Sequence, residues 1–298
     1  MAGQERVIGV DLGGTKILAG VVGRDGKVER SREWETPVES QEALLAALDA
    51  AVEEFLEDGG AALGFGIPSR VDQGTGRAFG SVNIPLHELD FRDRMQKRFG
   101  LPVAVDNDGN AAALAEWRRG AGRGARTLVM LTLGTGVGAG FVLDGRLYRG
   151  WAEAGHMVVV HDGKPCPCGG RGHLESYCTG VAADEAAREA LGPSADAHAL
   201  VRRADEGDAQ ARGVLREIGR ILGSGVGSLV NLFAAERVVI GGGFGAAAFD
   251  HLAPSALEVA RREALGPADE VLELVRAELT DDAGLIGAGL VAFEALDS

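Results

Sequence analysis

The stretch Asp11-Leu12-Gly13-Gly14-Thr15-Lys16 decides the fold, because it places a glycine turn between two apolar runs. Residues 7–10 precede the turn and residues 17–22 follow it, and both runs predict short buried strands. A glycine turn between strands points successive backbone N–H groups into one concavity, which attracts anions. Asp11, at the end of the first strand, would face bound phosphates and hold Mg²⁺.

The same order of elements recurs later in the chain. In the first copy, the hairpin turn Asp25-Gly26 follows the second strand. The second copy consists of a strand, a glycine turn, another strand and a hairpin turn, at residues 127–133, 134–136, 140–143 and 144–145. This order indicates duplicated halves. Two such turns could hold a polyphosphate from both sides, with hydroxyl donors from Thr15 and Thr135, although either turn alone could be a simple tight hairpin.

Hydrophobic spacing predicts the other elements. Leu44, Leu48, Val52 and Phe55 lie on one face of a helix that ends at Gly59-Gly60. Further strands are predicted at residues 63–67, 101–105 and 237–240, a polar turn at 106–108, and helices at about 110–117, 175–191, 208–235, 246–264 and 284–296.

Two familiar nucleotide motifs do not apply. Residues 134–139 fit the G-x-G-x-x-[GA] dinucleotide pattern, but that pattern requires a helix to follow, and residues 141–145 read as a strand and a turn. The chain also lacks the G-x-x-x-x-G-K-[ST] pattern of P-loop enzymes.

Composition limits the function classes. A length of 298 residues with 46% hydrophobic residues favours two domains with substantial cores. A net charge of −14 without a basic stripe argues against a nucleic-acid partner. No apolar run reaches about 18 residues, which argues against a membrane partner. The N-terminus leads directly into a strand without a signal peptide, so we expect a cytoplasmic protein.

Three glycine motifs carry a family resemblance. Residues 11–16, 133–138 and 240–243 resemble the two phosphate loops and the adenosine-side glycines of the ROK family of sugar kinases. The resemblance covers nearly the whole chain and implies an α/β, actin-like (ribonuclease-H-like) ATPase fold of two lobes with a deep interlobe cleft. The expected lobes are residues 1–107 plus 284–298 and residues 108–283. Nucleotide binding would fall to Asp11, Gly13, Gly14, Thr15, Lys16, Gly134, Thr135, Gly136, Gly138, Gly242 and Gly243.

Residues 106–112 resemble the family's N-D-x-N-x-A catalytic segment. The resemblance implies that Asn107 binds the sugar and that Asp108 is the general base, whereas the local sequence alone favours capping of the next helix. Asp106 is the weaker candidate for the base. The remaining sugar-side residues implied are Gly66, Ser69, Asn83, Glu153, His156 and Glu175. Ser69 departs from the family pattern, which has glycine there, and this puts the local backbone or the sugar preference in question.

The stretch Cys166-Pro167-Cys168-Gly169-Gly170-Arg171-Gly172-His173 resembles the family's C-x-C-G-x-x-G-C zinc motif. His173 stands in place of the last cysteine, and the resemblance supplies His156 as the fourth ligand. Zinc accepts thiolate and imidazole in tetrahedral structural sites, so this Cys₂His₂ set is chemically sound. The alternative is two unligated thiols in a glycine-rich loop, and Cys178 is expected to point elsewhere.

The resemblance therefore implies phosphorylation of glucose to glucose 6-phosphate by Mg-ATP, with structural Zn²⁺. Three alternatives stay open. The substrate could be another hexose (N-acetylmannosamine, N-acetylglucosamine, fructose or allose), polyphosphate could be the donor, or the chain could be a sugar-responsive repressor. A repressor would carry about 60–80 DNA-binding residues before Asp11, and only ten precede it. Apolar helix faces would allow a homodimer or homotetramer.

Overall fold

The computed structural model describes residues 5–81 and 84–297. The strands are β1 (Arg6–Leu12), β2 (Lys16–Gly23), β3 (Val28–Glu35), β4 (Leu63–Ile67), β5 (Val71–Asp72), β6 (Arg77–Ala78), β7 (Val103–Asn107), β8 (Leu128–Leu133), β9 (Val137–Leu143), β10 (Arg146–Tyr148), β11 (Arg237–Gly241) and β12 (Glu273–Arg276). The α-helices are α1 (Gln41–Glu53), α2 (Phe91–Phe99), α3 (Asp108–Arg119), α4 (Glu175–Cys178), α5 (Gly180–Leu191), α6 (Ala197–Asp205), α7 (Ala209–Phe233), α8 (Gly243–Glu263), α9 (Ala268–Val271) and α10 (Ala283–Leu296). Within the described ranges, none of the helices has both the length and the apolar character needed to cross a membrane.

The chain divides into two compact units. The first comprises Met1–Arg119, Leu147–Trp151 and Asp282–Ser298, and the second comprises Gly120–Arg146 and Ala152–Asp281. Helix α3 thus belongs to the first unit, whereas the predicted small lobe ends at residue 107. The lobe boundaries stay a prediction.

The first unit is built on a sheet with strand order β3-β2-β1-β4-β7. Strands β1, β2 and β3 pair antiparallel, and β1, β4 and β7 pair parallel. Asp11 on β1 lies beside Gly66 on β4, which lies beside Asp106 on β7. The carboxyl ends of three parallel strands therefore meet at one edge, where ligands of open α/β sheets commonly bind.

The second unit repeats this layout in a sheet with strand order β10-β9-β8-β11-β12. Strand β8 pairs antiparallel with β9 and parallel with β11, which pairs parallel with β12. The duplication predicted from the two glycine turns is confirmed by this shared topology.

Each unit has its own apolar core. In the first, Ile8, Val10, Leu44, Leu48 and Phe65 are fully buried between the sheet and α1. Helix α1 begins where the Ser40 hydroxyl accepts the N–H of Ala43 at 3.1 Å. In the second, a larger core collects residues of β8, β9, α5, α6, α7 and α8.

Helix α10 packs directly against the first sheet. A Cβ built on Gly64 would come within 1.9 Å of the Ala288 carbonyl oxygen, and one on Gly284 within 2.1 Å of an Asp11 carboxylate oxygen. Only glycine fits at these two points, so the helix bears directly on the end of β1.

Several element predictions need correction. Asp106 and Asn107 continue β7 and Asp108 begins α3, so no polar turn separates the strand from the helix. The helix predicted at 175–191 is interrupted at Thr179, which is extended and accepts the Ala182 N–H at 3.1 Å to start α5. The predictions do not include α2, α6, α9, β12 and the short strands β5, β6 and β10, although Phe91 and Met95 of α2 are buried at helical spacing.

Candidate active site

The first predicted phosphate loop is a tight bend between β1 and β2. The N–H of Gly13 donates to the carbonyl of Lys16 at 2.8 Å and closes the bend. Thr36 supports it from β3's end, with its hydroxyl donating to the Gly13 carbonyl at 2.9 Å and its N–H to the Thr15 carbonyl at 3.0 Å. Thr36 is not among the predicted residues, because a single threonine after a strand carries no sequence signal of this role. The Lys16 ammonium group pairs with Glu33 at 3.0 Å.

Asp11 lies at the end of β1 in a confined position. The pKa of its carboxyl group is raised to about 7, first by burial and then by the nearby Asp108 carboxylate, while Lys16 acts in the opposite direction. A Cβ built on Gly66 would lie 3.6 Å from an Asp11 carboxylate oxygen and 3.7 Å from the Cα of Asp108. The Asp11 carboxylate and the backbone of Asp108 therefore both come close to Gly66, and the two carboxylates repel each other. A divalent cation would relieve their repulsion, so the residues present fit a Mg²⁺ ion.

The strand–helix junction presents Asp108 in the first turn of α3. The Asn107 side-chain oxygen accepts the N–H groups of Gly109 at 2.9 Å and Asn110 at 3.2 Å, so Asn107 caps the helix. Its amide group also donates to the Ser69 carbonyl at 3.4 Å, which leaves one amide N–H for a ligand. One Asp108 oxygen accepts the N–H of Gly109 at 2.8 Å. The capping role that the local sequence favours thus belongs to Asn107 rather than to Asp108.

The other sugar-side residues predicted near this edge have different outcomes. Ser69 is buried, and its hydroxyl group exchanges hydrogen bonds with the backbone of Gly80 at 3.0 and 3.2 Å. The serine thus ties two loop segments together without a left-handed backbone. Asn83 lies outside the described residues. Direct sugar contacts from Gly66, Ser69 and Asn83 stay predictions.

The second predicted phosphate loop joins β8 to β9 in the second unit. The N–H of Gly134 donates to the Gly136 carbonyl at 3.0 Å, and the Gly134 carbonyl accepts the N–H of Gly180 at 2.8 Å. One carboxylate oxygen of Glu175 accepts the N–H of Val137 at 3.1 Å. Glu175, a predicted sugar ligand, therefore contacts the loop that is predicted to bind the nucleotide.

The glycines predicted to lie on the adenosine side are next to the same loop. Gly242 has a φ of 78° and precedes the first turn of α8. A Cβ there would lie 2.6 Å from both the backbone nitrogen and the carbonyl oxygen of Leu133, at the end of β8. Gly243 has open space where a Cβ would be. The start of α8 and the end of β8 thus lie side by side, and the first N–H groups of a helix suit a phosphate.

Four metal-ligand side chains cluster after the second loop. Their ligand atoms all lie within 4.8 Å of one another, and they belong to His156, Cys166, Cys168 and His173. The Cys166 sulfur is 3.9 Å from Nδ1 of His156, and the Cys168 sulfur is 3.3 Å from Nδ1 of His173. Tetrahedral zinc with these ligands separates neighbouring donor atoms by about 3.3–3.8 Å. The cluster therefore fits Zn²⁺ with small adjustments.

Cys178 is separate from this cluster, as expected. It is fully buried, its sulfur lies 3.8 Å from the carbonyl oxygen of Ile218, and burial raises the pKa of its thiol strongly.

The cluster contains one predicted sugar ligand, His156, and the two others of the second unit, Glu175 and Glu153, lie next to it in space or in the chain. Glu175 approaches the Cys166 sulfur to 3.8 Å through one carboxylate oxygen while the other holds the second loop. Glu153 is exposed at the start of the short turn Ala154–His156. That turn packs tightly on β9, because a Cβ on Gly155 would lie 2.4 Å from the Val137 carbonyl oxygen. A metal bound at the cluster would therefore order both carboxylates.

The sequence profile of the ROK family matches residues 7–295, and the chain belongs to the ROK family. The glucokinase of Streptomyces coelicolor is 33% identical over 96% of this chain and 97% of its own. The N-acetylmannosamine kinase of Shigella flexneri is 31% identical over 96% and 98%.

Solved structures agree with this assignment. The ROK hexokinase from Thermus thermophilus matches with a TM-score of 0.83 and 37% identity, over 98% of this chain and all of that one. A ROK family glucokinase from Streptomyces griseus, in complex with glucose and AMPPNP, matches with a TM-score of 0.84 and 34% identity over 97% and 99%. The predicted actin-like fold is confirmed.

Proposed function

We propose that this protein transfers the γ-phosphoryl group of ATP to the 6-hydroxyl of glucose, with Asp108 as the general base. The observation that carries the proposal is that Asp11 and Asp108 both lie next to Gly66 at the carboxyl edge of the first sheet. Phosphoryl transfer needs one carboxylate near the attacking oxygen and another beside the metal and phosphates. The similarity to a glucokinase solved with glucose and AMPPNP supports glucose and ATP as the two substrates.

The two glycine loops would bind the nucleotide through backbone N–H groups. The N–H groups of Gly13, Gly134 and Val137 already donate within the protein, so the nucleotide would bind the other N–H groups of the two loops and the first N–H groups of α8. Mg²⁺ held by Asp11, directly or through water, would neutralise charge on the phosphates. This arrangement explains how a chain with a net charge of −14 can bind a polyanion.

The reaction would begin with Asp108 accepting the proton of the 6-hydroxyl group. The sugar oxygen then forms a bond to the γ-phosphorus as the bond to the β-phosphate oxygen breaks, which yields glucose 6-phosphate and ADP. The remaining Asn107 amide N–H and the carboxylates of Glu153 and Glu175 would hold the sugar hydroxyls in fixed geometry.

Zinc at the Cys₂His₂ cluster would act structurally. Held by His156, Cys166, Cys168 and His173, it would close the loop that orients Glu175 and the turn after Glu153. The cytoplasmic location and the homodimer or homotetramer stay predictions.

A second candidate is an N-acetyl hexose kinase, because an N-acetylmannosamine kinase is 31% identical over nearly the whole chain. Both sugar classes present hydroxyls that the same carboxylates could bind.

A panel of sugars with purified protein, ATP and Mg²⁺ tests the proposal through ADP release. We expect glucose to give the highest kcat/KM, with lower values for N-acetylmannosamine, N-acetylglucosamine, fructose and allose. Highest kcat/KM for an N-acetyl hexose would support the second candidate. ADP release that no sugar increases would refute both.

A further inference from the structure

Asp106 is a fully buried carboxylate two residues before the proposed base. Three donors converge on its Oδ1 atom: the N–H of Asn107 at 2.8 Å, the side-chain amide of Asn110 at 2.8 Å and the side-chain amide of Gln73 at 3.3 Å. Because its Oδ1 atom already accepts three hydrogen bonds and its side chain has no exposed surface, Asp106 cannot itself receive a proton from a sugar hydroxyl.

Its other oxygen, Oδ2, accepts the Nε–H of Arg149 at 2.7 Å. The Arg149 side chain is 30% exposed, and its guanidinium group also pairs with Glu294 of α10. Burial disfavours the charged form of Arg149, but the hydrogen bond and the attraction to Asp106 outweigh it and raise the pKa of Arg149. Arg149 thus connects the end of β7 to α10.

Arg149 lies in the segment Leu147–Trp151, the only described part of residues 120–281 that belongs to the first unit. Trp151 secures the same segment, because its indole N–H donates to the Val71 carbonyl at 3.2 Å and its ring meets Phe79 edge-on at 5.1 Å. The Arg149 side chain is therefore delivered to Asp106 from a well-anchored piece of chain.

A buried carboxylate without a cation is costly, and breaking one partner of a buried pair leaves the other uncompensated. Here the charge of Asp106 also fixes the junction that follows it, since it binds the backbone of Asn107 and the side chain of Asn110 in the first turn of α3. Asn107 in turn caps the same turn, where Asp108 lies. Displacing a reacting group by about 1 Å can lower a rate by about 100-fold.

We propose that Arg149 is a positioning residue for phosphoryl transfer, which acts through the buried Asp106 to hold Asn107 and Asp108 in place. The inference rests on the proposed function of Asp108 as the base. Arg149 itself need not touch either substrate.

The test compares Arg149→Met with Arg24→Met. Arg24 is a matched control, because it also bridges two carboxylates of the first unit, Glu5 and Asp297, in an exposed position. We expect Arg149→Met to lower kcat by about 10- to 100-fold with the KM for ATP changed by less than about twofold, while Arg24→Met keeps the wild-type kcat. An unchanged kcat for Arg149→Met would overturn the proposal.

A double-mutant cycle separates positioning from general destabilisation. Asp106→Asn alone turns an amide N–H toward Arg149 or toward Asn107, so it should also lower kcat. In Asp106→Asn/Arg149→Met, the neutral amide needs no cation and its oxygen can still accept the Asn107 N–H. We expect this double variant to have a kcat about tenfold above that of Arg149→Met. A kcat equal to the product of the two single effects would overturn the proposal.

Hydrogen exchange of the 107–110 segment gives a readout independent of turnover. The backbone amides of this segment should exchange faster in Arg149→Met than in the wild-type protein or in Arg24→Met. Unchanged exchange rates would overturn the proposal, even if the wild-type protein phosphorylated no sugar. Absence of wild-type turnover would instead refute the proposed function. If Arg149→Met does not fold, Arg149→Lys replaces it in the test, because lysine keeps the charge but cannot contact both carboxylates as the guanidinium group does. Arg149→Lys should show an intermediate loss of kcat at an unchanged KM for ATP. A wild-type kcat for this variant would overturn the proposal.

Discussion

Replacing Asp11 by asparagine should make the metal-free protein more stable at alkaline pH. Burial, the Asp108 carboxylate and the opposing Lys16 together raise the pKa of Asp11 from 3.8 to about 7. An acid whose pKa is raised by folding binds more protons in the folded state than in the unfolded state between these two values. Stability therefore falls as the pH rises through this window, and an asparagine at this position removes that dependence.

The magnitude follows from the two pKa values. Relative to a group with an unshifted pKa, Asp11 destabilises the folded protein by about 4 kcal/mol at pH 8 and about 2 kcal/mol at pH 5. Asp11 keeps some contact with solvent, which reduces both figures. We therefore expect the stability gained by Asp11→Asn to be larger at pH 8 than at pH 5 by about 1–2 kcal/mol. Any effect of the asparagine side chain on stability that does not depend on pH cancels when the values at pH 8 and pH 5 are subtracted.

Urea unfolding followed by tryptophan fluorescence is a suitable assay, because Trp34, Trp117 and Trp151 all lie in the first unit with Asp11. Both proteins are measured with a chelator present, at pH 5 and pH 8. Asp25→Asn, in the exposed β2–β3 hairpin where Asn-Gly is equally suitable, is the control and should change stability little. An Asp11→Asn effect that is the same at both pH values, or larger at pH 5, would refute the reasoning.

Three other predictions concern the helix contact, the metal cluster and the second loop. Gly284→Ala would place a methyl group 2.1 Å from an Asp11 oxygen and should lower kcat. The control Gly213→Ala, in α7, has open space around the new methyl group and should stabilise the protein by about 0.5–1 kcal/mol with unchanged kcat. Equal kcat values for the two variants would count against a role for the α10 contact. Removing zinc by chelation should raise the KM for glucose and lower the Tm together, and metal analysis of the untreated protein should find zinc; sugar kinetics unaffected by its removal would disprove the coupling. Glu175→Gln should raise the KM for glucose, and, because Glu175 also accepts the Val137 N–H, it should weaken ATP binding slightly; an unchanged KM for glucose would show that Glu175 is not a sugar ligand.

The elements that the sequence predicts well are those marked by local chemistry. The glycine turns at residues 13–14 and 134–136 lie between apolar runs, and both are bends between paired strands in the structure. The spacing of Cys166 and Cys168 likewise indicates a metal site, and the family resemblance adds His156 and His173; the four side chains do meet in the structure.

Other features depend on contacts that no local pattern reveals. Asp106 continues β7 as a buried strand residue because Arg149, 43 residues away, supplies its counter-charge. The sequence alone reads such a polar residue as part of a turn. The break at Thr179 is similar, because both flanking segments favour helix and only the contact of Gly180 with the Gly134 carbonyl shows why the chain turns there.

The claim that Asp108 removes the proton from the sugar is tested most directly by Asp108→Asn. The substitution keeps size and hydrogen-bonding capacity but removes the basic oxygen, and one oxygen can still accept the Gly109 N–H. We predict that kcat for glucose falls by at least about 100-fold while the Kd for ATP stays within about threefold of the wild-type value. A variant that still forms glucose 6-phosphate at a rate within tenfold of wild type would contradict the account.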